Sequence, residues 1–187
     1  ASDVYKRQTI EVTPTYENGG VTCVGNPETF TITVNPGAQV DSVVNQVLCN
    51  GELTNDILFT TTNIDGTTTY AWTNDNPAIG LAASGTGDIP SFTAVNNTTS
   101  ALVANIEVTP TYENGGVTCA GNPETFTITV NPGAQVDSVV NQVLCVGELT
   151  NDILFTTTNI DGITTYAWTN DNPAIGLAAS GTGDIPS

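Results

Sequence analysis

Residues 10–91 of this chain of 187 residues return as residues 106–187, 96 positions later and without a gap. Three positions differ between the copies: Val24/Ala120, Asn50/Val146 and Thr67/Ile163. A period near 100 residues is the size of a whole domain, whereas solenoid units run about 20–50 residues. The chain is therefore expected to fold as copies of one unit. Copying this faithful suits a spacer, because a catalytic site has no obvious reason to be duplicated intact.

The centre of the unit is marked by its single tryptophan. Trp72 follows Tyr70 by two residues, and Trp168 follows Tyr166 in the second copy. In a strand that spacing puts both rings on one face, where each can bury a large apolar area. Phe126, Ile128 and Val130 alternate with threonines, as do Phe30, Ile32 and Val34 one period earlier. Leu102, Ala104, Ile106 and Val108 also fall on one face. These are the period-two patterns of half-buried strands. Further strands are expected over 40–48, 57–62 and 91–95, with turn signals at Asn18-Gly19, Asn50-Gly51 and Asp65-Gly66.

An Asn-Pro-Gly triplet at 35–37 and again at 131–133 stops ladder donation and frees the backbone, so it marks domain boundaries. The expected division is 9–36 as the C-terminal part of one repeat, 37–132 as a complete domain and 133–187 as the N-terminal part of the next. Seven short strands in the complete unit, with no helical periodicity, predict an all-β chain of tandem immunoglobulin-like β-sandwiches. The expected core includes Phe59, Tyr70, Trp72, Leu102, Ile106, Val108, Phe126, Ile128 and Val130.

Residues 1–8 fall outside the pattern. They resemble the translation of a sequencing-library transposase adapter and are set aside as non-native. Lys6 and Arg7 lie within them and are the only cationic side chains. From Thr9 onward there are 18 acidic residues (19 less Asp3) and no Lys, Arg or His. Such a surface repels nucleic acid and anionic membranes, which are bound through Lys and Arg. Without His there is no Ser-His-Asp triad and no ordinary zinc site. Without Lys there is no P-loop phosphate grip, no Schiff base and no Lys–Asn isopeptide cross-link. No apolar run reaches the roughly 20 residues that span a bilayer. The chain is not expected to be an enzyme.

Several segments together carry a family resemblance. They are Asn-Gln-Val-Leu-Cys-Asn-Gly (45–51), Tyr-Ala-Trp-Thr-Asn-Asp (70–75), the glycine-rich run from Ile79 to Ala94, Asn-Gly-Gly-Val-Thr-Cys (114–119) and Thr-Phe-Thr-Ile-Thr-Val-Asn-Pro (125–132). In combination they resemble the PKD-like repeats of very large secreted surface proteins of the Bacteroidota. The resemblance implies an immunoglobulin-like sandwich, tandem repetition, an extracellular location and a stalk or adhesion role, with no catalytic residues. The alternative function is a carbohydrate-binding module, with Tyr16, Tyr112 and the threonine-rich faces as its candidates. Partners would be neighbouring repeats, glycans or surface proteins.

The four cysteines occupy two positions of the repeat: Cys23 and Cys119, Cys49 and Cys145. Within the complete unit only Cys49 and Cys119 can pair, and that bond would constrain the unfolded chain by about 4 kcal/mol. Pairing Cys23 with Cys49 and Cys119 with Cys145 also uses all four thiols, and unpaired thiols are the third alternative. A simple sandwich places Cys49 and Cys119 at opposite ends. Asp65, Asn74, Asp75, Asn76 and Asp88 offer oxygen ligands for calcium, but their spacing fits no recognised calcium loop, and Asp and Asn also make turns. No cofactor or metal is expected. Asp41-Ser42-Val43 resembles the short O-glycosylation signal of the same bacteria. Finally, the two end segments carry 83 of the 96 positions of a unit between them (28 from 9–36, 55 from 133–187), so head-to-tail self-association is expected.

Overall fold

A computed structural model describes residues 6–187, so most of the adapter-like stretch, residues 1–5, lies outside the described part. The strands are β1 (Lys6–Val12), β2 (Thr15–Asn18), β3 (Val21–Val24), β4 (Glu28–Val34), β5 (Gln46–Cys49), β6 (Thr67–Asn74), β7 (Ser84–Thr86), β8 (Leu102–Asn114), β9 (Val117–Ala120), β10 (Glu124–Asn131), β11 (Ala167–Thr169) and β12 (Ser180–Thr182). Among the described residues, helical structure is limited to single 3-10 turns at Pro77–Ile79 and Pro173–Ile175. The chain is all-β.

The central unit is built on one six-stranded sheet, ordered β5-β10-β8-β6-β7, with β9 also paired to β8. Strand β8 is its spine. Its 13 residues span about 43 Å. Ala104, Ile106, Val108, Pro110 and Tyr112 point inward along it, and residues between them are more exposed. The N-terminal half of β8 pairs with β10 and the C-terminal end with β9, while β6 runs along the other side. Pro110 falls where β8 leaves β10 and takes up β9. A proline in a central strand lacks a ladder donor, and here the gap coincides with the change of partner. The Pro110 carbonyl still accepts from Gly121 N at 3.0 Å.

The opposing layer has few regular strands. The expected strand over 40–48 shortens to Gln46–Cys49, which joins the sheet parallel to β10. Segments 57–62 and 91–95 form no ladders; they carry the isolated bridges Ile57–Ile89 and Leu53–Thr93 and scattered backbone bonds, such as Asp41 N to the Thr60 carbonyl and Ala94 N to the Glu52 carbonyl. Side chains replace the missing ladder bonds. Phe59 N donates to Asp88 Oδ1, Ser91 N to Asp56 Oδ1, Gln39 N to Asn63 Oδ1 and Asn55 N to Gln46 Oε1. A backbone donor is satisfied equally by a side-chain oxygen, so the layer closes without pairing as a sheet.

Between the layers lies the core: Ile57, Phe59, Trp72, Ile79, Leu81, Ile89, Ala94, Ala104, Ile106, Val108, Phe126, Ile128 and Val130. Tyr70 and Leu102 pack against it half-buried. Phe59 joins the two layers, its ring centroid 5.4 Å from Tyr70 and 6.4 Å from Phe126. Gly85, opposite Trp72 in the β6–β7 pair, leaves room for the indole; a methyl group there would overlap Trp72 Cζ2.

The flanking segments repeat local pieces of this unit. β1 pairs with β4 in the register of β8 with β10, so that Ile10 faces Phe30 as Ile106 faces Phe126. Lys6, Arg7 and Gln8 extend β1. β11 pairs with β12 as β6 pairs with β7, and Ile153 bridges Ile185 as Ile57 bridges Ile89.

Candidate functional site

The thiols do not form the expected bond. All four cysteines are free, with Cys49 exposed and Cys119 half-exposed. Cys49 lies opposite Asn131, next to the Val130–Leu102 pair, whereas Cys119 lies opposite Tyr112. Leu102 and Tyr112 are ten residues apart on one straight strand, about 33 Å. A disulfide needs Cα atoms within about 7 Å, so the Cys49–Cys119 pairing is corrected: the register of β8 holds the two apart.

The Asp and Asn side chains considered for calcium are engaged with the backbone. Asp88 accepts from Phe59 N at 2.8 Å. Asp75 accepts from Asn105 N and Asn105 Nδ2, both at 2.7 Å. These bonds, the side-chain one first, hold the Asp75 carboxyl below its ordinary range. Asn74 is buried and donates to the Leu81 and Ala82 carbonyls, while its own Oδ1 accepts from Asn76 N. Asp65 sits at φ 67°, a left-handed turn conformation that Asp tolerates. No group of three or more His, Cys, Asp or Glu side chains among the described residues could hold a metal.

The aromatic candidates for glycan binding are placed unequally. Tyr112 is fully buried, and its hydroxyl donates to the Ile64 carbonyl at 2.8 Å. Gly66 packs flat on its ring, where a Cβ would collide. Its equivalent Tyr16 is exposed. All six aromatic residues of the central unit (Phe59, Tyr70, Trp72, Phe92, Tyr112 and Phe126) are buried or half-buried, so the unit presents no platform of exposed rings. Burial, then the nearby Asp41 charge, raises the Tyr70 hydroxyl above its usual pKa. Ser42, in the glycosylation-like triplet, is exposed, and its neighbour Asp41 accepts from Thr60 Oγ1 at 2.6 Å.

The surfaces that do converge are the two poles of the central unit. The chain enters beside β9, where Gly121 packs against the Ala38 carbonyl. There Asn35 Nδ2 donates to the Asn114 carbonyl at 2.9 Å. It leaves beside β5, where Asn50 N donates to the Asn131 carbonyl. At this pole Ile160 N donates to the Thr99 carbonyl at 3.0 Å, and Ala101 N donates to Asp161 Oδ2 at 3.1 Å. Sequence reasoning missed these junction contacts. Their only signal is that Asp161 repeats the turn residue Asp65, which sits at the entry pole.

Residues 46–134 match the PKD-like domain family. The match covers β5 through the exit of the central unit and takes in the whole six-stranded sheet. It fits the immunoglobulin-like sandwich architecture. No curated protein matches the chain.

Proposed function

We propose that the chain is a non-catalytic, extracellular repeat module that works as a stalk or adhesion spacer of a cell-surface protein. The observation that carries this reading is the placement of chain entry and exit at opposite poles of a unit about 40 Å long. A unit threaded from pole to pole adds length when it is repeated, and the sequence repeats it with a 96-residue period. Support also comes from the PKD-like match, since such modules are generally extracellular and non-catalytic. The strongly acidic surface keeps neighbouring stalks apart. Carbohydrate binding stays the second reading; of its two aromatic candidates Tyr112 is buried and Tyr16 is exposed.

Small-angle scattering on two-unit and four-unit concatemers of residues 37–132 tests the spacer. The maximum dimension is expected to grow by about 40 Å per added unit. Concatemers that collapse to a compact particle would end the stalk reading, and saturable binding on a glycan array would favour the alternative.

A further inference from the structure

Asn96 is a polar side chain that the apolar core does not need, yet it is only 2% exposed and its amide is fully engaged. Its Nδ2 donates to the Ser100 and Val130 carbonyls, both at 2.7 Å. Its Oδ1 accepts from Thr98 N at 2.9 Å and from Thr98 Oγ1 at 2.7 Å. Its backbone N donates to Asn50 Oδ1 at 2.8 Å. Burying an amide costs free energy unless such bonds are made. What the network secures is the shape of residues 96–101, a loop tied to β10 at the exit pole of the central unit. That loop turns the Thr99 carbonyl and the Ala101 N–H toward the chain that follows. The carbonyl accepts from Ile160 N at 3.0 Å, and the N–H donates to Asp161 Oδ2 at 3.1 Å. One residue earlier, Asn159 Nδ2 donates at 3.0 Å to the carbonyl of Gly133, in the linker between the two segments. Three consecutive residues thus hold the preceding unit and the linker at once.

We propose that residues 96–101 are a docking loop whose partner is the Asn-Ile-Asp turn of the next repeat, and that this clasp fixes the angle between successive repeats. The same turn stands at 63–65. There it holds its own linker in the same way, Asn63 Nδ2 donating to the Gly37 carbonyl at 3.1 Å. Tyr112 pins that turn through the Ile64 carbonyl. Asp65 shares a cleft with Asn35 and Asn114, where Asn35 Nδ2 donates to the Asn114 carbonyl at 2.9 Å. The two turns differ in which residue is left-handed, Asp65 at φ 67° or Gly162 at φ 80°, and both keep the bond from Asn to linker. An aspartate suits the clasp chemically. No Lys, Arg or His follows Arg7, so a carboxylate here has only N–H and O–H donors to meet, and a charge-assisted bond to a backbone N–H is among the stronger ones. Pro132 fixes one dihedral of the linker, while Gly133 beside it is permissive and leaves the joint free to swing unless the clasp holds it. In a stalk, which rests on the function proposed above, the clasp turns a string of repeats into a stiff rod.

Amide hydrogen exchange on the full 187-residue chain tests the clasp, since a bonded N–H exchanges only when its bond opens. The Ala101 and Ile160 amides should both be protected. Asp161→Ala should speed exchange at Ala101 by about tenfold, the scale of one lost charge-assisted bond. Asp161→Asn keeps an acceptor oxygen and should keep most of the protection. The Ile153 and Ile185 amides, which donate to each other's carbonyls, report whether the C-terminal segment stays folded in each variant and should not change. In the wild type, residual dipolar couplings from 37–132 and 133–187 should fit one common alignment. An unprotected Ala101 amide in the wild type would overturn the proposal. So would protection at Ala101 that Asp161→Ala leaves unchanged, or two independent alignments for the wild-type segments. The stalk fails separately: extended concatemers with an unprotected Ala101 would leave a flexible stalk without a clasp, and collapsed concatemers with a protected Ala101 would leave a clasp without a stalk.

Discussion

Trp72 and Gly85 act as one device. The indole is nearly buried, and the space it fills exists because residue 85 has no side chain. Trp72→Ala should cost about 3–5 kcal/mol, the range for emptying a buried aromatic site. Gly85→Ala should cost about 1–3 kcal/mol by the opposite mechanism, since the new methyl forces the ring from its position. Chemical denaturation of the central unit, residues 37–132, checks both. A loss below 1 kcal/mol for Trp72→Ala would remove it from the core. The Trp72 indole N–H is buried without a protein acceptor, so its contribution comes from packing area and not from a hydrogen bond. The Tyr-x-Trp spacing was legible in the sequence because a strand has a fixed period. The glycine that accommodates the ring was not, because it lies 13 residues away in a run that carries no periodic pattern.

Strands β6, β8 and β10 were readable for the same reason: they alternate, and each has a neighbour on both sides. The segments 40–45 and 57–62 also alternate in places, yet they do not form ladders. Period-two patterning reports which side chains face the core. It does not report whether backbone donors find a strand or an Asp carboxylate, and here Asp88, Asp56, Asn63 and Gln46 take that role. Asp88→Ala should therefore weaken the layer by about 1–3 kcal/mol, the cost of stranding a donor that has lost its acceptor. Asp88→Asn should recover most of that loss, because its amide oxygen can still accept from Phe59 N. Equal losses in the two variants, measured by thermal unfolding, would show that the negative charge matters and not the hydrogen bond. The disulfide expectation failed at this same scale. The two cysteines share a unit, but only the register of β8 shows that a strand of ten residues separates their positions.

At the scale of the whole molecule, charge sets how the chain meets its surroundings. The net charge is −17, and the two cations both lie in β1, at Lys6 and Arg7. Self-repulsion on this scale keeps a protein soluble but opposes compaction. The same composition decides which proteases can act. Trypsin cuts after Lys and Arg, and no such residue follows Arg7. Folding is therefore irrelevant to trypsin over residues 8–187, and heating the chain in its presence should leave that stretch whole. Proteases that cut beside acidic or aromatic residues should behave differently. The central unit buries Phe59, Trp72, Tyr112 and Phe126, whereas Tyr16 and Phe30 stand exposed. An aromatic-directed protease should thus trim the N-terminal segment first and spare residues 37–132 until they unfold. Intact mass over a digestion time course reads the order of cuts. Early cleavage at Trp72 or Phe126 under native conditions would contradict the closed core, and any tryptic fragment beginning beyond residue 8 would contradict the sequence itself.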